Sequence, residues 1–162
     1  MIQIRSICDA DIDTCLQIYN YYIENTTVTF EETPLGADAF RERVHAISAH
    51  FPYLVALEDG VVIGYAYLDV FNSRSAYRYT ADLSVYLAPS SCAHGTGTKL
   101  VDAVLGAGKA QGIRSVISIV TGENRVSARF HEKNGFSLVG TLHHVGYKHN
   151  KWLDVMYYQK TL

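Results

Sequence analysis

Cysteine is scarce in this chain, and the few present are badly placed for pairing. Cys8, Cys15 and Cys92 are an odd set, and none belongs to a Cys-x-x-Cys arrangement. That excludes a disulfide framework and predicts free thiols in a reducing compartment. Charge of one sign is lacking too: 14 basic residues against 16 acidic give a net charge of −2, so no general attraction to nucleic acid or to an anionic membrane is expected. The longest apolar runs are strand-sized, and the opening MIQIRSICD has no basic stretch followed by a long apolar core. Neither a membrane span nor a signal peptide is therefore expected, and the cytoplasm is the expected location. Repeats, linkers and low-complexity tracts are also missing, so residues 1–162 are expected to form one domain, large enough to bury a substantial core.

What is present alternates in two periods. Residues 2–7 alternate as a strand; Asp9, Asp11 and Asp13 then crowd the start of a helix with an apolar stripe through Ile12, Cys15, Leu16, Tyr19, Tyr22 and Ile23. TTVTFEE is rich in strand formers but polar, and Thr33-Pro34-Leu35-Gly36 precedes a second amphipathic helix carrying Phe40, Val44 and Ile47. Residues 53–57 and 61–70 read as a hairpin around Glu58-Asp59-Gly60, and 77–87 as a third antiparallel strand. A long helix closed by Gly112, a buried strand over 115–120, a short helix over 124–134, and strands over 136–142 and 153–159 complete the chain. A strand-helix-strand crossover implies parallel pairing, so the fold class is α/β: a mixed sheet, antiparallel first and partly parallel later.

Between the third strand and the long helix runs CAHGTGTKL. Gly95 and Gly97 allow close approach of backbone to a ligand, and the first N–H groups of the helix point into the turn with the positive end of the helix dipole behind them. The turn suits a phosphate; it equally fits a helix with a glycine-rich start and nothing bound. It is not a nucleotide P-loop, nor a dinucleotide fingerprint, because Leu100 stands where a third glycine is needed.

Four stretches, TFEE, RSAYRYTADLSVYLAP, ENRVSARFHEKNGF and VGYKHNKWLDVMYYQ, together resemble the GNAT superfamily of N-acetyltransferases, and within it the phosphinothricin-type amino-acid acetyltransferases. The likeness covers nearly the whole chain. It implies a GNAT fold with a mixed, mostly antiparallel seven-stranded sheet flanked by helices and splayed between strands 4 and 5. It implies acetyl-CoA as cosubstrate, direct attack by the acceptor amine, and no metal. A homodimer is implied for the region around Trp152, Tyr157 and Tyr158.

Residue by residue, the resemblance places Cys92, Ala93, His94, Gly95, Thr96, Gly97 and Thr98 at the CoA pyrophosphate. Cys92 departs from the family's Arg or Gln, so backbone N–H groups, with Lys99 or His94, are left to hold the charge. Val85 and Leu87 would present backbone groups to the pantetheine arm, and Asn124 and Ser127 would approach the thiol end; Asn124 also suits a helix N-cap. Asp82 stands where the family has a glutamate base; the alternative is a strand-end acid satisfied by neighbouring hydroxyls or by Arg78. His131 stands where many members have a tyrosine acid; the alternative is an imidazole on the helix surface. Phe30, Glu31, Arg74, Tyr77 and Arg78 match acceptor-pocket positions, an arginine there pairing with a substrate carboxylate. His143, His144 and His149 have no metal-type spacing.

The implied activity is transfer of acetyl from acetyl-CoA to the α-amine of a small amino acid such as phosphinothricin, methionine sulfoximine or methionine sulfone. The alternatives are a GNAT enzyme for a polyamine, an aminoglycoside or a protein N-terminus, and a non-catalytic acyl-CoA sensor, the last made conceivable by Cys92 and by aspartate at position 82.

Overall fold

A computed structural model describes residues 1–92 and 95–162. In chain order the elements are β1 (Ile2–Ser6), α1 (Ile12–Asn25), α2 (Ala37–Ser48), β2 (Tyr53–Glu58), β3 (Val61–Val70), β4 (Thr80–Leu87), α3 (Thr96–Ala110), β5 (Ser115–Thr121), α4 (Arg125–Lys133), β6 (Ser137–Lys148) and β7 (Lys151–Thr161). The strands form one seven-stranded sheet in the order β1-β2-β3-β4-β5-β7-β6. All neighbours are antiparallel except β4 and β5. This is the mixed α/β sheet expected from the sequence.

The two-residue period of the strands divides the core between the faces. Leu68, Ala81 and Leu83 pack with Leu100, Val101 and Val104 of α3 on one face. Tyr53, Val55 and Tyr65 pack with Ile12 and Ile23 of α1 and with Phe40 and Val44 of α2 on the other. Asp59 and Gly60 both adopt positive φ, 50° and 81°, which is what a two-residue turn needs to follow the right-handed twist of β2 and β3. Gly112, at φ 98°, closes α3 from the left-handed region, and Gly135, at φ 83°, does the same after α4.

The decisive feature is how briefly β4 and β5 stay together. Their ladder holds Thr80 to Ser115, Ala81 to Val116 and Asp82 to Ile117, and ends there. The rest of β4 is paired with β3 alone, so a gap opens in the middle of the sheet between its fourth and fifth strands.

Three expectations are adjusted. β4 begins at Thr80, because residues 75–77 form a 3-10 turn. TTVTFEE forms no strand; Thr121 donates to the Thr27 carbonyl at 2.6 Å and Lys148 to the Thr29 carbonyl at 2.7 Å, so side chains satisfy its backbone. β6 is longer than expected, running through the histidines to Lys148 with irregularities between Leu138 and Gly140 and between Leu142 and Gly146. His144 sits at φ 53° in the second of these.

Gly106 and Gly108 on α3 test the packing. A Cβ at Gly108 would lie 2.4 Å from Cδ1 of Leu68, whereas one at Gly106 would meet nothing within 4 Å. Leu68 is fully buried and cannot yield. Gly106→Ala is therefore expected to raise urea-unfolding stability by about 0.5–1 kcal/mol through helix propensity, and Gly108→Ala to lower it by about 1–3 kcal/mol.

Candidate active site

Alternation along β4 decides what the gap exposes. The Ala88 N–H turns to β3, donating to Ile63 at 2.8 Å. From the opposite side, the Ser118 hydroxyl comes within 3.4 Å of the Leu83 carbonyl and the Tyr22 hydroxyl donates to the Leu87 carbonyl at 2.7 Å. Peptide groups of residues 83, 85 and 87 thus face the gap, and of the three carbonyls that of Leu87 accepts from a side chain. The expected backbone edge is present, but Leu87 contributes less to it than expected.

A cavity of about 400 Å³ follows this edge, lined by Tyr22, Val85, Leu87, Cys92, Gly97, Asn124, Ser127 and Phe130. At its far end the first turn of α3 begins. Gly95 takes φ 78°, and the buried Thr96 Oγ1 has no hydrogen-bond partner among the described residues. A Cβ at Gly97 would lie 2.9 Å from the Phe130 ring, so the turn packs tightly on α4. An orphaned hydroxyl and unpaired helix N–H groups at one point fit an anion. Cys92 is exposed, its Sγ 3.6 Å from the Ala88 carbonyl, and Lys99 is exposed on the same helix. The expected contributions of Ala93 and His94 lie outside the described residues. Asn124 caps α4, its side chain accepting from Ser127 N–H at 3.1 Å. It also lines the cavity, so its role as a cap leaves it at the gap.

Asp82 occupies the last rung before the gap. Its Oδ1 is buried and has no hydrogen-bond partner among the described residues. Burial, and then the charge of Asp69, push its carboxyl up to about 6. The alternative of an acid satisfied by hydroxyls or by Arg78 fails, since Arg78 donates instead to the Ser75 carbonyl at 3.1 Å and lies over the Tyr79 ring at 4.5 Å.

His131 borders the gap from the α4 side and is only 2% exposed, so it is not the surface imidazole of the alternative reading. Nδ1 lies 2.7 Å from the Ser127 carbonyl, which can only accept, so Nδ1 carries the proton. Nε2 then accepts from the Ser118 hydroxyl at 2.7 Å. Burial lowers the imidazole's affinity for a second proton, and the neutral ring is favoured near pH 7. Ser118 was not singled out from the sequence; the signal was a hydroxyl interrupting the apolar interior of SVISIV.

The acceptor-side residues are not brought into one cluster. Phe30 lies over Gly146, a glycine whose Cβ position falls inside the Phe30 ring's contact shell at 2.2 Å, and shares a small cavity with Val28, Ile119 and Thr121. Glu31 is held by both Arg43 nitrogens, at 3.1 and 2.7 Å, and by the Tyr19 hydroxyl. The Arg43 guanidinium keeps that carboxyl below its usual range. Arg74, Tyr77 and Arg78 remain exposed on the β3–β4 loop, with Tyr77 against Phe71 at 5.5 Å. Among the described residues no group of three or more metal-type side chains is placed to hold an ion. His143 instead pairs with Asp154 at 3.1 Å.

Residues 4–157 match the family model described as an acetyltransferase (GNAT) domain. The phosphinothricin N-acetyltransferase of Streptomyces viridochromogenes is 35% identical over 98% of this chain and 87% of its own length. The L-methionine sulfoximine/L-methionine sulfone acetyltransferase of Salmonella typhimurium is 30% identical over 98% of this chain and 94% of its own. A phosphinothricin acetyltransferase from Sinorhizobium meliloti, crystallised with acetyl-CoA, superposes with a TM-score of 0.96 at 35% identity, covering 99% of this chain and 88% of that one.

The raised Asp82 carboxyl has a thermodynamic consequence of definite sign. Between its unfolded value near 4 and its folded value of about 6, the native state binds the extra proton, so its contribution to stability is present below pH 4 and lost as pH rises through 6. Asp82→Asn is expected to be more stable than the parent above pH 6, by on the order of 1 kcal/mol after solvent screening, with the advantage vanishing below pH 4. Thermal melts across pH 4–8 check this.

Proposed function

Because the chain belongs to the GNAT acetyltransferase family, we propose that it is an enzyme moving acetyl from acetyl-CoA to the α-amine of a small amino acid of the phosphinothricin or methionine sulfoximine kind. The observation that carries the reading is a half-buried carboxyl, pushed up to about 6, on the last rung before a backbone-lined gap that ends at a helix N-terminus with an unpartnered buried hydroxyl among the described residues. Acetyl-CoA supplies the activated acetyl group and a thiol as leaving group. Gly95, Thr96, Gly97 and Thr98 hold the pyrophosphate through backbone N–H groups, with Cys92 adding no charge. The peptide groups of Val85 receive the pantetheine arm, and Asn124 and Ser127 flank its thiol end.

An amino-acid ammonium must lose a proton before its nitrogen has a lone pair to offer. Asp82 takes that proton. In our reading His131 holds the Ser118 hydroxyl in a fixed direction at the gap; the donor role implied by the resemblance asks for an imidazolium, which burial disfavours. Arg74, with no side-chain partner among the described residues, is the guanidinium available for the acceptor's carboxylate, since Arg78 is committed within its own loop.

We also read the chain as one domain that works in the cytoplasm, as the free thiols Cys8, Cys15 and Cys92 suit. It is read as a homodimer as well. Leu138, Val139, Leu142, Val145, Tyr147 and Trp152 stand 46–63% exposed on β6 and β7, an apolar run that a second copy would cover. Nucleic acid and membrane are not among the partners inferred, in keeping with the net charge of −2.

Asp82→Asn is expected to lower kcat/KM for the amino acid by about 100-fold or more below the amine's own pKa, with the KM for acetyl-CoA unchanged and the deficit narrowing as pH rises. Thiol release measured across pH checks it, and equal rates at every pH would remove Asp82 from the mechanism. Arg74→Ala should raise KM for amino acids about 10-fold or more while leaving the matching decarboxylated amines unaffected.

A further inference from the structure

Asp69 stands directly across the β3–β4 ladder from Asp82. The next rungs on the same face set Tyr67 against Ser84 and Tyr65 against Tyr86, pairings that suit a sheet. Two carboxylates at directly opposed positions, with Cβ atoms roughly 5 Å apart, do not. Nor does the surrounding structure neutralise them. Asp69 Oδ1 accepts only from the adjoining Val70 N–H, at 2.7 Å, and Asp82 Oδ1 accepts from nothing among the described residues.

The neighbouring elements leave this charge uncompensated. β5 presents Ile117 to Asp82. On the β3–β4 loop Arg74 is exposed, and Arg78 lies over Tyr79. From the side of α1 and α2, Tyr19 and Arg43 are engaged with Glu31. Lys148 donates to the Thr29 carbonyl, and the carboxylates its charge faces are Glu32 and Glu31. No ion pair reaches either Asp69 or Asp82 among the described residues.

We propose that Asp69 is a positioning residue for acetyl transfer: its charge, fixed across the ladder from Asp82, draws the cationic amine onto the Asp82 carboxylate and favours movement of the amine's proton to it. The inference rests on Asp82 being the base. In the proton balance, an ammonium and two carboxylates become a neutral amine, one carboxylic acid and one carboxylate, so the repulsion across the ladder is relieved in the same step that frees the nitrogen lone pair. The raised Asp82 carboxyl, for which Asp69 is the second cause after burial, agrees with this arrangement. The unfavourable rung is then a functional feature, retained against the interest of the sheet.

The test compares the parent enzyme with Asp69→Asn, Asp69→Glu and Asp82→Asn by two readouts: the acid limb of kcat/KM for the amino acid, and carbon-13 NMR titration of the Asp82 carboxyl in the protein without substrates. Asp69→Asn is expected to move both the limb and the titration to lower pH by about half a unit or more. Asp69→Glu, which keeps the charge, should hold both near the parent, and the KM for acetyl-CoA should stay level in all variants. An Asp82 titration that does not move in Asp69→Asn overturns the proposal. An acid limb that survives in Asp82→Asn overturns the base reading beneath it, and the NMR titration tells this failure from the first.

Discussion

The ladder between β4 and β5 stops after Asp82 and Ile117, and the arrangement of the site depends on that stop. Had the two strands stayed paired to their ends, the peptide groups around Val85 would face another strand and the centre of the sheet would be closed. Because they part, one element offers a backbone edge, a half-buried acid at the vertex and, past its end, a helix N-terminus. The glycine turn needs only to connect β4 to α3. Tight packing of Gly97 on Phe130 then fixes the turn to α4, whose own N-cap, Asn124, borders the same cavity.

The two sides of the gap are electrically different, and burial accounts for most of the difference. On the face packed by α1 and α2, Asp82 sits beside Asp69 and its carboxyl is pushed up. On the α4 face, His131 is enclosed by Ser118, Ser127 and the ring of Tyr158, and its second protonation is pushed down. Each shift favours the neutral form, as expected where water is largely excluded. Farther out, Glu31 and Arg43 neutralise each other, so the acids bordering the gap keep their influence on whatever enters.

Much of this was legible in the chain itself. Asp59-Gly60, the alternation of β3 and the helical stripe of α3 follow from local rules, and the structure keeps them nearly to the residue. That the turn suits an anion was one of two readings left open by Gly95 and Gly97, while acetyl-CoA entered only through likeness to a family. Pairings between distant residues were not legible. That Asp69 faces Asp82 depends on a register set by the whole β3–β4 ladder. That Tyr22 reaches Leu87, 65 residues away, depends on how α1 crosses the sheet. TTVTFEE misleads for a related reason, since strand propensity is worth little where Thr121 and Lys148 already satisfy the backbone.

Tyr22 also bears on the sheet's motions. Middle strands of a sheet usually hold the slowest-exchanging amides of a domain, because both of their edges must open before water enters. Here β4 is central by position, yet beyond Asp82 its edge toward β5 meets, among the described residues, no more than the Tyr22 hydroxyl at the Leu87 carbonyl and the Ser118 hydroxyl near the Leu83 carbonyl. The peptide groups that face the gap, that of Val85 among them, thus need no strand to separate before they exchange, although they lie at the middle of the sheet. A ligand paired along this edge would slow that exchange, which makes deuterium uptake at Val85 a gauge of occupancy.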